Sequence, residues 1–272
     1  MRQTVRTLSL GALLAATLSA TPALAQHSHD GDDSPAPWSQ ADAYYDPAEM
    51  AEARAQVQHH AGGQNFWFVM ADRFEIQSLD GEETGVWDAQ GWYGGDINKL
   101  FVKTEGEYSF EGDEVEDAEI QALWSRAISP YWDLQTGLRY DVEPDGKAHG
   151  VFGVQGLAPY LFEVDAAAFV SEDGDVTART EVEYELLLTQ RLILQPRLEA
   201  NFSFQDVPDR ELGTGLTNLD AGVRLRYEIK REFAPYVGVE WQGAFGETAD
   251  IIEAAGGDAQ GTAFVAGIRA WF

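Results

Sequence analysis

Five histidines are the most versatile chemical groups in this chain, which has no cysteine, and four of them lie before residue 65. His27 and His29 stand two apart in Gln26-His27-Ser28-His29-Asp30-Gly31-Asp32-Asp33, so both imidazoles can reach one ion with carboxylates close by. That is a plausible ligand set for Cu(II) or Ni(II). It is also what an ordinary polar tail looks like. His59 and His60 are adjacent, and Met50 adds one thioether to the same stretch. The fifth, His149, is followed by Gly150, and no G-x-S-x-G pattern accompanies it. Serine–histidine chemistry needs nucleophile and base within hydrogen-bond reach and a third group to orient the base, so an enzyme is not expected. The missing cysteines exclude thiolate metal sites, cysteine nucleophiles and disulfides.

Charge is the second chemical signal. The chain of 272 residues has 18 Lys and Arg against 46 Asp and Glu, a net charge of −28. Such a balance argues against nucleic acid and for cations or cationic groups as partners. A merely acidic, soluble surface would give the same total. The placement of the acids therefore matters more than their number.

Three segments carry these groups. Residues 1–25 read as a secretion leader: Arg2 and Arg6, an apolar core from Leu8 to Leu18, and Ala23-Leu24-Ala25 before the expected cut. Loss of those two arginines takes the net charge to −30. Residues 26–64 are polar and histidine-bearing. Within them Asp46-Pro47-Ala48-Glu49 reads as an N-cap, a first-turn proline and an early acid. The helix so begun would share an apolar face among Met50, Ala53 and Val57 and stop near Gly62-Gly63. His59 and His60 would complement its dipole in the last turn, the structural reading of that pair.

From residue 65 to 272 the pattern is alternation. The last strand shows Phe264, Ala266, Ile268, Ala270 and Phe272 on one face and Val265, Gly267, Arg269 and Trp271 on the other. About twelve such strands are expected, over 66–78, 85–95, 98–109, 116–128, 131–142, 148–157, 160–171, 175–188, 190–204, 217–230, 234–246 and 260–272. Connections after even strands are tight; those after odd strands are longer and mostly acidic. One face is apolar. The other carries Arg73, Glu119, Asp141, Glu181, Arg197, Glu199, Arg224, Glu240 and many more charges. So many ions cannot fill a dry core. The apolar face needs lipid or a second layer, and no helix is long enough to supply the layer. An all-β, antiparallel transmembrane barrel in the outer membrane follows, with both ends in the periplasm and the acidic loops outside.

Long stretches of the barrel portion resemble one known family. They include Gly91-Trp92-Tyr93-Gly94-Gly95-Asp96-Ile97-Asn98-Lys99-Leu100, Gly153-Val154-Gln155-Gly156-Leu157-Ala158-Pro159-Tyr160, Glu183-Tyr184-Glu185-Leu186-Leu187-Leu188-Thr189-Gln190-Arg191 and Arg224-Leu225-Arg226-Tyr227-Glu228-Ile229. The chain is similar over Asn65 to Phe272 to the copper resistance protein B family of bacterial outer-membrane proteins. The resemblance implies copper ions as cargo, outer-membrane lipid as surroundings and periplasmic copper-handling proteins as partners. Family members often carry a methionine- and histidine-rich segment ahead of the barrel. Here only Met50 and Met70 follow the initiator, so thioether sites for Cu(I) are scarce and histidine with carboxylate would favour Cu(II).

Two mechanisms then compete. In the first, copper is bound and either sequestered or passed along weak lumen sites, for which Glu75, Asp88, Glu105, Glu163, Asp165, Glu183 and His149 are candidates beside the N-terminal His27, His29, Met50, His59 and His60. The N-terminal segment would serve as plug or relay. In the second, the barrel is a passive or plugged pore, and its acids simply pair with arginines on neighbouring strands.

Overall fold

The computed structural model describes residues 39–79, 81–144 and 146–272. The leader, His27 and His29 lie outside the described residues. The barrel is built of β1 (Phe66–Leu79), β2 (Glu82–Gly94), β3 (Asn98–Ser109), β4 (Glu114–Ser129), β5 (Trp132–Glu143), β6 (Lys147–Ala158) and β7 (Phe162–Ser171). It continues with β8 (Val176–Glu183), β9 (Leu186–Leu187), β10 (Leu192–Ser203), β11 (Gly215–Tyr227), β12 (Phe233–Ala244) and β13 (Gln260–Trp271). All pairings are antiparallel, and β8 and β9 together make one crossing beside β10. Twelve crossings result.

Pro196 explains the break between β8 and β9. The Tyr184 N–H donates to the Pro196 carbonyl at 3.1 Å, but proline has no N–H to return the bond, so the ladder lapses there. Closure is made by β13 on β1, from Met70 opposite Trp271 to Ser78 opposite Phe264. Phe272 adds the last link, exchanging backbone hydrogen bonds with Val69 at 2.9 and 3.1 Å. Among the described residues the sheet thus closes on itself, with only the two-residue β9 paired on one side alone.

The alternation partitions the side chains as the sequence suggests. Leu138 and Phe264 point outward and are 67% and 71% exposed, as residues are whose neighbour is lipid. Exposed Trp67, Tyr93, Tyr131 and Tyr160 gather at the end carrying the tight turns, where a membrane interface favours amphipathic rings. Inside, Phe101, Leu123, Val151 and Phe169 form a small apolar patch on one wall. Among the described residues no helix is long and apolar enough to cross a membrane.

Outside the strands, helix α1 spans Pro47–Ala61. Asp46 caps it, its Oδ1 accepting the Ala48 and Glu49 N–H groups at 2.8 and 3.3 Å. None of its residues is buried: on the expected apolar face Met50 is half-buried and Ala53 and Val57 are exposed. A second helix, α2 (Gly246–Ala255), occupies what alternation alone reads as a plain loop between β12 and β13. It is rich in alanine and glutamate, and Gly256 ends it at φ 91, donating to the Glu253 and Ile252 carbonyls.

Candidate functional site

Strand register sets the lumen's chemistry. Across β2, β3, β4 and β5, Asp88 lies opposite Glu105, Glu105 opposite Glu119, and Glu119 opposite Asp141. Across β7, β8, β10 and β11, Asp165 lies opposite Glu181, Glu181 opposite Glu199, and Glu199 opposite Asp220. Two rows of four carboxylates therefore line two stretches of the inner wall. Directly opposed like charges on neighbouring strands are destabilising, so such rows call for cations between them.

Arginines supply part of that requirement. Arg179 on β8 reaches from the second row to the first, meeting Glu105, Glu119 at 3.2 Å and Glu199 at 3.6 Å. Lys103 on β3 crosses to Asp165 on β7. Arg197 meets Glu181 at 2.5 Å, Glu240 at 3.4 Å, Glu183 at 3.7 Å, and Glu199. Arg224 forks onto both oxygens of Glu75, at 2.9 and 2.7 Å, and also holds Glu240. Arg139 lies over the Phe169 ring at 4.7 Å and Arg179 at 5.8 Å, so the apolar patch steadies two of these cations.

These bonds divide the lumen into two chambers that share Glu105, Phe169 and Arg179. The chamber toward the tight turns has a volume of about 280 Å³, and the chamber toward the other end, the loop end, about 430 Å³. Long loops are expected throughout that end, but only the connections 204–214 and 245–259 are long; the rest are two to four residues, because the strands extend into the expected loops. At the loop end Arg139 bonds Glu119 at 2.6 Å and Asp141 at 2.5 Å. Arg210, from the β10–β11 connection, bonds the other Asp141 oxygen at 2.7 Å.

The sequence candidates separate accordingly. Asp88, Glu105, Glu163, Asp165 and Glu183 all line the turn-end chamber, where Glu163 lies opposite Glu183 across β7 and β8. Asp88 is paired with Arg73 at 3.2 Å, and Glu183 accepts from Gln195 at 2.8 Å. Glu75 is committed to Arg224. His149 stands apart at the loop end, beside Asp141. Met50, His59 and His60 belong to α1, the two imidazoles packed edge to face with centroids 5.0 Å apart. Among the described residues no three His, Asp or Glu side chains already converge as a metal site.

Three charged groups of the lumen escaped the sequence reading. Asp72 enters the lumen because β1 shifts register between Ala71 and Arg73, turning both Asp72 and Arg73 inward; Asp72 then pairs with Arg269 at 2.7 Å. The signal was there, since inward parity changes between Met70 and Glu75. Asp220 sits on the inward face of β11, facing the loop-end chamber. Arg210 lies in a connection with no strand periodicity, and nothing in the local sequence marks it.

The chain is similar to known proteins. The family model described as Copper resistance protein B precursor (CopB) matches residues 65–272. Copper resistance protein B of Escherichia coli is 44% identical over 207 residues, covering 76% of this chain and 69% of that protein. A Copper resistance protein B homolog of Pseudomonas syringae pv. tomato is 41% identical over 233 residues, covering 83% and 78%. Among solved structures, the NanC porin matches with a TM-score of 0.50 at 9% identity, over 74% of this chain and 98% of that one. At that identity the likeness concerns the fold alone.

Proposed function

The chain belongs to the copper resistance protein B family, and on that premise we propose that it protects the cell by binding copper ions in its lumen and sequestering them or passing them across the outer membrane. The observation that carries this reading is the pair of opposed carboxylate rows. Seven carboxylates line the turn-end chamber, and among the described residues Glu163, opposite Glu183, is the one of them without an ion pair. That carboxylate is available to a mobile cation. Copper is cargo here, held by weak serial sites from which it can leave. The N-terminal segment, residues 26–64, would add imidazole ligands from His27, His29, His59 and His60, and a periplasmic copper-handling protein is the partner such a route would serve.

The ion pairs that cross the lumen favour an occluded barrel over an open one. A plugged barrel with no specific metal site is therefore the second reading. Purified protein in liposomes separates the two. Retention or passage of Cu(II) with exclusion of small neutral solutes is the expected result. Equal permeation of copper and neutral solutes, with no metal retained, would sink the first reading.

A further inference from the structure

The connection between β10 and β11 is folded rather than slack. Val207 and Leu212 exchange backbone hydrogen bonds at 2.8 and 3.2 Å around the turn Pro208–Arg210. Asp206 accepts from the Thr214 N–H at 3.0 Å and from its hydroxyl at 2.5 Å. The Gly213 N–H donates to the Thr248 hydroxyl of α2 at 2.9 Å. A Cβ on Gly213 would stand 2.4 Å from the Glu247 Cβ, so this meeting of two loops requires glycine.

This anchorage presents Arg210 to the barrel wall. Its guanidinium bonds Asp141 Oδ2, on β5, at 2.7 Å. Asp141 is fully buried, its other oxygen taken by Arg139 Nε at 2.5 Å. His149 faces Arg139 across β5 and β6 and is 5% exposed. Its Nδ1 has no hydrogen-bond partner and lies 3.9 Å from the very oxygen that Arg210 holds. A buried polar atom left without a partner is destabilising, and the fold retains one at this place.

We propose that Asp141 and His149 form a divalent-cation site at the loop end of the lumen, and that Arg210 is its tethered stopper, displaced when an ion enters. The spacing suits the chemistry. A nitrogen and an oxygen each about 2 Å from one ion stand about 4 Å apart when they bind on opposite sides. An imidazole, a carboxylate and water fit the tetragonal preference of Cu(II). Arg139 stays on Asp141 when Arg210 leaves, so the carboxylate keeps one neutralising partner. Arg210 also lines the loop-end chamber, so its withdrawal would open the way inward. Because Arg210 sits outside every strand, that withdrawal breaks no sheet pairing. The inference rests on the reading that the lumen takes copper, and adds the device that admits it.

The test uses the full chain with His27, His29, His59 and His60 replaced by asparagine, which leaves His149 as the one imidazole. Cu(II) chloride is titrated into this protein, into Arg210→Met and into Arg210→Met with His149→Asn, with electron paramagnetic resonance reading nitrogen coordination. Arg210→Met should tighten the apparent Kd by about tenfold, as expected on removing a competitor present nine-tenths of the time. It should also strengthen an imidazole signal that His149→Asn abolishes. If Arg210→Met fails the heat-modifiability check for a folded barrel, Arg210→Lys replaces it, with the same direction and a smaller gain. Copper bound with unchanged affinity and no His149-dependent signal would overturn the stopper while leaving lumen binding intact. No copper bound by any of these chains, nor by the chain with all five histidines, would overturn both.

Discussion

The two chambers of the lumen are built from the same residue types in different proportions. The turn-end chamber has seven carboxylates against two cationic side chains, whereas the loop-end chamber has eight against five, Arg210 among them. The turn end borrows its counter-charge: Arg73 and Arg197, which line the loop-end chamber, pair with Asp88, Glu181 and Glu183, and Arg269 pairs with Asp72. Among the described residues Glu163, opposite Glu183, is the turn-end acid without an ion pair, whereas at the loop end Glu107, Glu116, Asp117 and Asp220 have none. A cation held at the turn end is expected beside Glu163, and a cation controlled by the protein's own side chains at the loop end. The division is electrostatic rather than steric, since both chambers are large enough to hold water.

Arg197 touches acids of both chambers, so Arg197→Met is expected to have the largest effect. Removing one partner from a buried charge cluster costs about 3–5 kcal/mol, and this should appear as a lower temperature for loss of the heat-modifiable folded band. Glu163→Gln with Asp165→Asn should reduce copper retained in equilibrium dialysis by severalfold, about the tenfold that 1.4 kcal/mol represents at most. Glu107→Gln with Asp220→Asn, at the loop end, should reduce it less. Equal losses from the two pairs would erase the distinction between the chambers. Arg179→Ala removes the bridge between the carboxylate rows and should raise single-channel conductance in a planar bilayer, with the rise smaller at high salt, where exposed charges are screened.

The smallest effect belongs to the loop that carries Arg210. The Thr214 hydroxyl, with its backbone N–H, holds the Asp206 carboxyl below its usual range. A depressed carboxyl stabilises its loop above the ordinary aspartate range, and that contribution fades as the pH falls through the lowered value. Hydrogen exchange at the Thr214 amide should therefore stay protected at neutral pH and lose protection in acid. Protection unchanged by Asp206→Ala would contradict this role.

Much of the barrel was legible in the sequence because alternation has a period of two and lipid tolerates no exceptions over long runs. Glu75, Arg139, Arg197 and Glu240 are inward, as their strand positions require. Register was not legible. Nothing in the sequence states that Glu119 lies between Glu105 and Asp141, because that depends on loop length and bulges summed around the ring. Asp72 was hidden by a bulge, and Pro196 split one crossing that reads as continuous. Arg210 and α2 lie in connections, where side-chain direction follows from tertiary contacts such as Gly213 on Thr248 rather than from any local period. The N-terminal helix was readable from Asp46 and Pro47, since capping is a local interaction. Whether its histidines or the lumen acids hold metal is a question of affinity, which neither pattern nor register encodes.

The central claim is that copper resides in the lumen, and a copper titration of the folded full-length chain tests it most directly. It is run beside a chain with His27, His29, His59 and His60 replaced and beside that chain with Glu163→Gln and Asp165→Asn added. The expected result is that copper remains bound after the four histidines are gone and falls only when the turn-end carboxylates are neutralised. Complete loss of copper with the histidines alone would contradict it, placing the site in the N-terminal segment instead.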